Sequence, residues 1–490
     1  MHKKFPLFFL VFFIVFLLSL QVIVDPDFGW HLRAGQSIVT TKSIPKTDLF
    51  SFSTPNYPYV FHSWAGETVI YLSYKFLGLW GSSLLFALIV TISIYLLFKS
   101  TQVLTKSQPN YSYFLLITPL AYTLAGGKMR TFNLLFLSLV YLLFLKFERQ
   151  NSKMIWLTPI VFLLWVNFHA SFLLGIPIFF ILATSSIFKK RDKVSLPKLK
   201  TYIAVFCLSA LATLINPYFI NAHKQAIIMF FNSYFTLHNI NLDWQSALTA
   251  KGIEAFTLVL FLLILFLLFF KSSVSLFQKL LLVSFYVLSL VSSRFLVPLI
   301  IFFIPIFYQF VKELETKINP NIKKSIAIRF AYFSFLSVLI LFIVENLLVL
   351  TYSYSSLKNY SDFINYKYSK KLLYDLWPYQ ANRNFEKELQ TKRVLTNADS
   401  GGFLLLQNPQ AKVFYYGAMD NFIIDGKSFT FEYLKLQYAI SNWKQILNQY
   451  EIDSILLPKT YKIVSELQKD QGWYPVYEDH QAVIMAKKDK

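Results

Sequence analysis

The chain is short of the residues that carry most soluble chemistry. A single cysteine, Cys207, occurs in 490 residues and lies inside an apolar run. No disulfide framework and no thiolate metal cage can therefore be built, and cysteine usage says nothing about redox compartment. No GxGxxG, HExxH or P-loop pattern occurs, which removes the familiar phosphate cradles and the helical zinc motif. Charged residues make up only 15% of the chain, well below the quarter or so usual for a soluble protein.

What is plentiful is apolar. With 55% hydrophobic residues and a mean hydropathy of +0.48, the chain reads as a multi-spanning membrane protein. Its net charge of +21 comes from Lys and Arg clustered in short loops between apolar runs, as topology determinants are. That distribution excludes nucleic acid as a partner and leaves the bilayer.

The candidate spans are Phe5–Val24, Gly81–Lys99, Tyr111–Gly126, Thr131–Phe147, Met154–Phe168, Ser171–Phe188, Thr201–Ile215, Ile253–Phe270, Phe277–Val291, Phe295–Val311 and Ile328–Leu350. The first is longer than a signal-peptide core and no small-x-small cleavage site precedes Asp25, so it is expected to be retained. A cytoplasmic N-terminus puts the densest basic run, Lys189-Lys190-Arg191-Asp192-Lys193, inside. The 25–80 loop, the 216–252 loop and the C-terminal tail then face outward together. The expected organisation is a module over 1–351 with about eleven transmembrane helices, followed by an extracytoplasmic α/β domain over 352–490.

Within the tail, strands are expected over Lys392–Thr396, Lys412–Tyr416 and Ile452–Leu457, with a turn over Asn397–Gly402. Helical spacing covers Phe429–Tyr450 and Lys462–Lys469, and Pro475–Glu478 with Ala482–Lys487 reads as a hairpin.

The first outer loop holds the densest set of ionisable groups outside the short loops and the tail. Asp25 and Asp27 follow an apolar run, where the negative end of a helix dipole would cost each about 0.3–1 kcal/mol. Deeper placement would cost about 2.5–3.5 kcal/mol. A cationic partner should offset them: a metal, Arg33, His31 or another loop. His62, Trp64 and Glu67 close the loop. Asn167 and His169 stand between two spans, and Arg294 interrupts a long apolar stretch, where it must pair or reach the interface. Lys128 and Arg130 are outward basic residues against the trend. Asn216-Pro217-Tyr218, His223, His238 and Asp243-Trp244-Gln245 are weak signals in the 216–252 loop. Asp399 and Asp420 read as surface polar residues. Interfacial polarity alone is the plain alternative for all of these groups.

The stretches Asp25-Pro26-Asp27-Phe28-Gly29-Trp30-His31-Leu32-Arg33-Ala34-Gly35, Ile44-Pro45-Lys46-Thr47-Asp48-Leu49-Phe50-Ser51 and His62-Ser63-Trp64-Ala65-Gly66-Glu67 resemble the first outer loop of polytopic GT-C glycosyltransferases. Trp165-Val166-Asn167-Phe168-His169, Leu173-Leu174-Gly175 and Gly401-Gly402-Phe403-Leu404 are similar to later patches of the same class. Many such loops carry Asp-Glu or another DxD, so Asp-Pro-Asp is a departure. The class includes protein O-mannosyltransferases and aminoarabinose transferases.

The resemblance implies a polyprenyl-phosphate sugar donor and a lipid, glycan or protein acceptor in the cell envelope. Asp25 or Asp27 would serve as general base, or both would hold a divalent cation (Mg or Mn), with Glu67 as a third acidic group. His31, Arg33, His62, Trp64, Asn167, His169 and Arg294 would bind substrate, with Arg294 on the carrier phosphate. A transporter or flippase, or a non-catalytic assembly protein, are the competing classes. The first would place ionisable groups at span midplanes and show an internal repeat; the second would leave Asp25 and Asp27 dispensable.

Overall fold

The computed structural model describes residues 5–21, 23, 25–110, 127–187, 196–235, 274–317, 392–440, 442–479 and 482–488. The expected spans Tyr111–Gly126, Ile253–Phe270 and Ile328–Leu350, and His238 with Asp243-Trp244-Gln245, lie outside the described residues.

The helices of the N-terminal module are α1 (Phe5–Ser19), α2 (Phe28–Thr41), α3 (Trp64–Thr105), α4 (Thr131–Gln150), α5 (Thr158–Phe168), α6 (Gly175–Ile187), α7 (Leu196–Ala212), α8 (Ile220–Phe235), α9 (Leu276–Val291) and α10 (Leu296–Lys317). Among the described residues, three segments are long and apolar enough to cross a membrane: Trp64–Thr105, Thr131–Gln150 and Ser293–Glu313. Shorter apolar helices cover Phe8–Ser19, Lys153–Phe168, Ala170–Leu182 and Leu276–Val291. The chain is a polytopic helical membrane protein.

Helix ends follow local chemistry. Ser275 and Gln278 form a reciprocal capping box at the start of α9, and Asn151 closes α4 at φ 50°. The long α3 is broken at Leu77 and Gly78, where Gly78 takes φ +60°, a conformation open to glycine. The expected span Gly81–Lys99 lies wholly after this break.

One expectation at the first loop is corrected. Helix α1 stops at Ser19, six residues before Asp25, and Asp27 instead directly precedes α2. Its carboxylate therefore meets the positive end of a helix dipole, the reverse of the expected cost. The 216–252 segment, expected to be an outer loop, contains helix α8.

The C-terminal unit begins with β1 (Val394–Thr396) and α11 (Ala398–Gln407), then β2 (Ile423–Ile424) and β3 (Lys427–Ser428). After these come α12 (Thr430–Gln437), α13 (Trp443–Gln449), β4 (Ser454–Leu457), α14 (Lys462–Gln468), β5 (Trp473–Glu478) and β6 (Val483–Lys487). The four-stranded sheet has the order β1-β4-β6-β5, with β1 and β4 parallel and the other pairs antiparallel. Strands β4 and β6 are buried along their central residues, as fully covered strands are.

The expected turn at Asn397–Gly402 is instead the first half of α11. Gly401 is required by close approach, since a β-carbon there would lie 2.1 Å from the Tyr415 carbonyl oxygen. The expected strand Lys412–Tyr416 contributes isolated pairing at Val413, and Phe429–Tyr450 divides into α12 and α13 around Ala439, at φ 50°.

The first loop is built into this unit. Val413 pairs with both Ser51 and Val394, so the loop extends the sheet past β1. Trp30, Ala34, Phe50, Tyr59 and Phe61 share one apolar core with β1, β4, β6 and the helices around them. The Tyr416 hydroxyl donates to Asp48 Oδ1 at 2.6 Å, and Tyr57 stacks on Phe422 at 4.2 Å.

Candidate active site

Asp25 and Asp27 form a tight turn at the mouth of α2. The Asp27 N–H donates to Asp25 Oδ1 at 2.9 Å, and the Phe28 N–H donates to the Asp25 carbonyl at 3.1 Å. Pro26 supplies the bend between them. The Asp27 carboxylate accepts a hydrogen bond from Trp30 Nε1 at 3.1 Å. It also presses on the backbone of the C-terminal unit: a β-carbon at Gly417 would stand 1.9 Å from Asp27 Oδ1. Only a glycine lets that chain come so close.

The electrostatics of Asp27 follow from this packing. Burial, with Asp25 and then Asp420 and Asp399 as like charges, pushes its pKa up to about 8 against the pull of the Trp30 donor. Asp399 and Asp420 thus act on the acid pair through space, which their surface-like sequence setting did not signal.

A second group lies between α2, α3 and the α5–α6 junction. His31 Nδ1 is 2.9 Å from Glu67 Oε1, and both side chains are buried. Burial holds His31 well below its ordinary value and Glu67 well above its own. The two side chains share one hydrogen bond, whose donor is set by where its proton sits. Glu67 Oε2 and His62 Nδ1 are buried with no hydrogen-bond partner among the described residues. The His62 and His169 rings meet edge to face at 6.1 Å. Burial lowers His62 to about 4 and, with the charges of His62 and Arg294, lowers His169 to about 3. Arg294 occupies the short turn Ser293–Phe295 between α9 and α10. Trp30 joins the two groups: its indole N–H binds Asp27 while its ring lies 3.5 Å from that of His31.

The remaining candidates are tied elsewhere. Arg33 Nε donates to the Leu405 carbonyl at 2.7 Å and Nη2 to that of Leu406 at 2.5 Å, at the C-terminal end of α11. Its fork is thus spent on clamping the C-terminal unit, where the helix dipole favours a cation. Trp64 Nε1 donates to Asn167 Oδ1 at 2.7 Å, and Asn167 Nδ2 donates to the Ile215 carbonyl at 3.0 Å. That pair staples the loop to α5 and the end of α7.

Trp30 and Gly417 were missed by sequence reasoning. Trp30 stands one helical turn after Asp27, a usable signal; Gly417 carried none.

Among the described residues no group of three or more His, Cys, Asp or Glu gathers at metal-holding distance. Two carboxylates and a substrate phosphate are nevertheless the usual setting for magnesium, which keeps several waters. The crowding of negative charge on Asp27 is what a cation would relieve, so Asp25 and Asp27 fit such an ion.

No protein-family model matches the chain, and no curated protein matches it in sequence. Solved structures do match. ArnT from Cupriavidus metallidurans in the apo state superposes with a TM-score of 0.55 at 14% identity, over 98% of this chain and 97% of that one. The same protein bound to undecaprenyl phosphate gives 0.50 at 12%, over 99% and 98%. The oligosaccharyltransferase AglB from Archaeoglobus fulgidus, in complex with an inhibitory peptide and a dolichol-phosphate, gives 0.53 at 12%, over 99% and 74%. At such identities the likeness speaks for the fold: this chain has the fold of ArnT and AglB.

Proposed function

We propose that the protein is an integral-membrane glycosyltransferase that moves a sugar from a polyprenyl-phosphate-linked donor to a hydroxyl of a lipid, glycan or protein acceptor outside the cytoplasm. The observation that carries this reading is Asp27, a carboxyl raised to about 8 beside Asp25, at the joint between the first outer loop and the C-terminal unit. The shared fold with ArnT and AglB supports the donor class, because those proteins were seen with undecaprenyl phosphate and dolichol-phosphate. The full arrangement has about eleven spans over 1–351, a cytoplasmic N-terminus and an extracytoplasmic unit over 352–490.

In this reading Asp27 is the general base. A carboxylate with a proton affinity near the working pH is matched to that task. It takes the proton of the acceptor hydroxyl as that oxygen attacks the anomeric carbon, the bond from that carbon to the phosphate oxygen breaks, and polyprenyl phosphate leaves. Asp25 holds Asp27 in place through the 2.9 Å turn bond and keeps its proton affinity high. In the alternative role, Asp25 and Asp27 would together hold a magnesium or manganese ion, which would supply neutralisation of the leaving phosphate. Glu67 and His31, joined at 2.9 Å, orient the loop through Trp30. His62, His169 and Arg294 line the side toward the membrane, where Arg294 suits a phosphate.

The test is transfer from a panel of polyprenyl-phosphate sugars by the purified protein, compared with Asp25→Asn and Asp27→Asn, with and without chelator. Transfer that survives in both folded variants rejects the assignment of these acids.

A further inference from the structure

Helix α8 wears its side chains the wrong way round for water. Its buried positions are small, Ala222 at 2% and Ala226 at 5% exposure, while Ile220, Ile227 and Ile228 stand 44%, 47% and 39% exposed. At 3.6 residues per turn, positions 220, 224, 227 and 228 share one side, opposite 222 and 226. The exposed face is therefore three isoleucines around Lys224.

We infer that α8 lies in the plane of the outer leaflet, with the Ile220, Ile227 and Ile228 face in the acyl boundary and the Lys224 ammonium drawn up to anionic lipid phosphates. Three features select lipid as the occupant. The preceding stretch also exposes large apolar side chains, Ile203, Leu211, Ile215 and Phe219. The lysine among isoleucines has the stem and charge that reach a phosphate layer from just below it. And 16 residues make only about 24 Å, with Asn221, His223, Lys224 and Gln225 in the first two turns, so the helix lies at the interface rather than crossing.

The placement has a consequence for the acid pair. On its inner side α8 packs against the turn Ala170–Leu174, next to His169, and against the turn Gly417–Asn421, whose first residue abuts Asp27. His223 is fixed there, with Nε2 2.9 Å from Thr213 Oγ1 and its ring 5.0 Å from that of Phe172. A helix held in the leaflet thus sets the level of Asp27 at the head groups. The inference concerns the bilayer alone and stands whether or not sugar transfer is found.

The test uses the full chain with Cys207→Ser, reconstituted in nanodiscs of phosphatidylcholine and phosphatidylglycerol. Single variants Ile227→Cys, Ile228→Cys and Tyr474→Cys carry an environment-sensitive fluorophore; Tyr474 is the control, 44% exposed on β5. All three substitutions are at exposed side chains, and gel filtration verifies the fold. A phospholipid with a doxyl group high on its acyl chain should quench labels at 227 and 228 roughly twofold and leave 474 unchanged. Iodide in the buffer should do the opposite. Labels at 227 and 228 that respond to iodide as 474 does, or to neither quencher because protein covers them, overturn the inference.

Discussion

Gly29 and Gly402 meet backbone to backbone: a β-carbon on Gly29 would lie 1.8 Å from the Gly402 carbonyl oxygen. The reverse contact is as tight, since a β-carbon on Gly402 would lie 2.2 Å from the Pro26 carbonyl oxygen. Helix α2 of the first loop and helix α11 of the C-terminal unit cross here with no side chains between them, and Arg33 clamps the far end of the crossing. The atoms in the way are backbone and cannot swing aside.

Gly29→Ala and Gly402→Ala should each force the two helices apart. Overpacking of this kind costs about 1–3 kcal/mol. Limited proteolysis in detergent should find the C-terminal unit released faster in both variants, and thermal unfolding should begin earlier. Unchanged digestion would show that the crossing is not tight in solution.

Gly417→Ala tests the acid directly. Its new methyl would collide with Asp27 Oδ1, a side-chain atom that can move, so the fold should survive while the carboxylate shifts. A displacement of about 1 Å at a reacting group costs on the order of 10²-fold in rate. The expected outcome is that loss in kcat with melting close to wild type, read from transfer kinetics and unfolding on one preparation.

The sequence showed where the chemistry gathers but not how it is arranged. Apolar run lengths and basic loops gave the membrane class, and the Asp-Pro-Asp, His-Ser-Trp and Trp-Val-Asn-Phe-His patches led to residues that the fold brings near one another. Contacts across hundreds of positions left no local mark. Arg33 read as a cationic partner for the acid pair and a substrate-binding residue because nothing nearby in sequence shows that the Leu405 and Leu406 carbonyls arrive to take its donors. Gly401 and Gly402 read as a turn, since a glycine needed for close approach is indistinguishable in sequence from one needed for positive φ. The sign of the dipole at Asp27 was misread for a simpler reason: hydropathy continues to Val24, whereas α1 ends at Ser19.

Asp27 makes opposite demands on activity and stability as pH changes. As a base it must lose its proton, so kcat/KM should rise through neutral pH and level off above about 8. Its folded value lies above the ordinary 3.8, so its contribution to stability is fully present below that value and is lost as pH rises through about 8. Asp27→Asn has no such proton to lose. Melting measured from pH 5 to 9 should fall more steeply in wild type than in the variant; parallel curves would contradict the raised value.

The buried pair of His31 and Glu67 allows a sharper test of charge. For a neutral pair, Glu67→Gln keeps a donor for His31 Nδ1 at nearly the same place and should change stability little. Glu67→Ala instead leaves the His31 nitrogen buried and unpaired, at a cost of about 1–3 kcal/mol. An ionised pair would behave otherwise: removing one charge with the amide would strand the other, and such losses reach about 3–5 kcal/mol. Denaturation in detergent at pH 7 separates the two, since Gln close to wild type with Ala well below it is the neutral pattern, and equal loss in both is the ionic one.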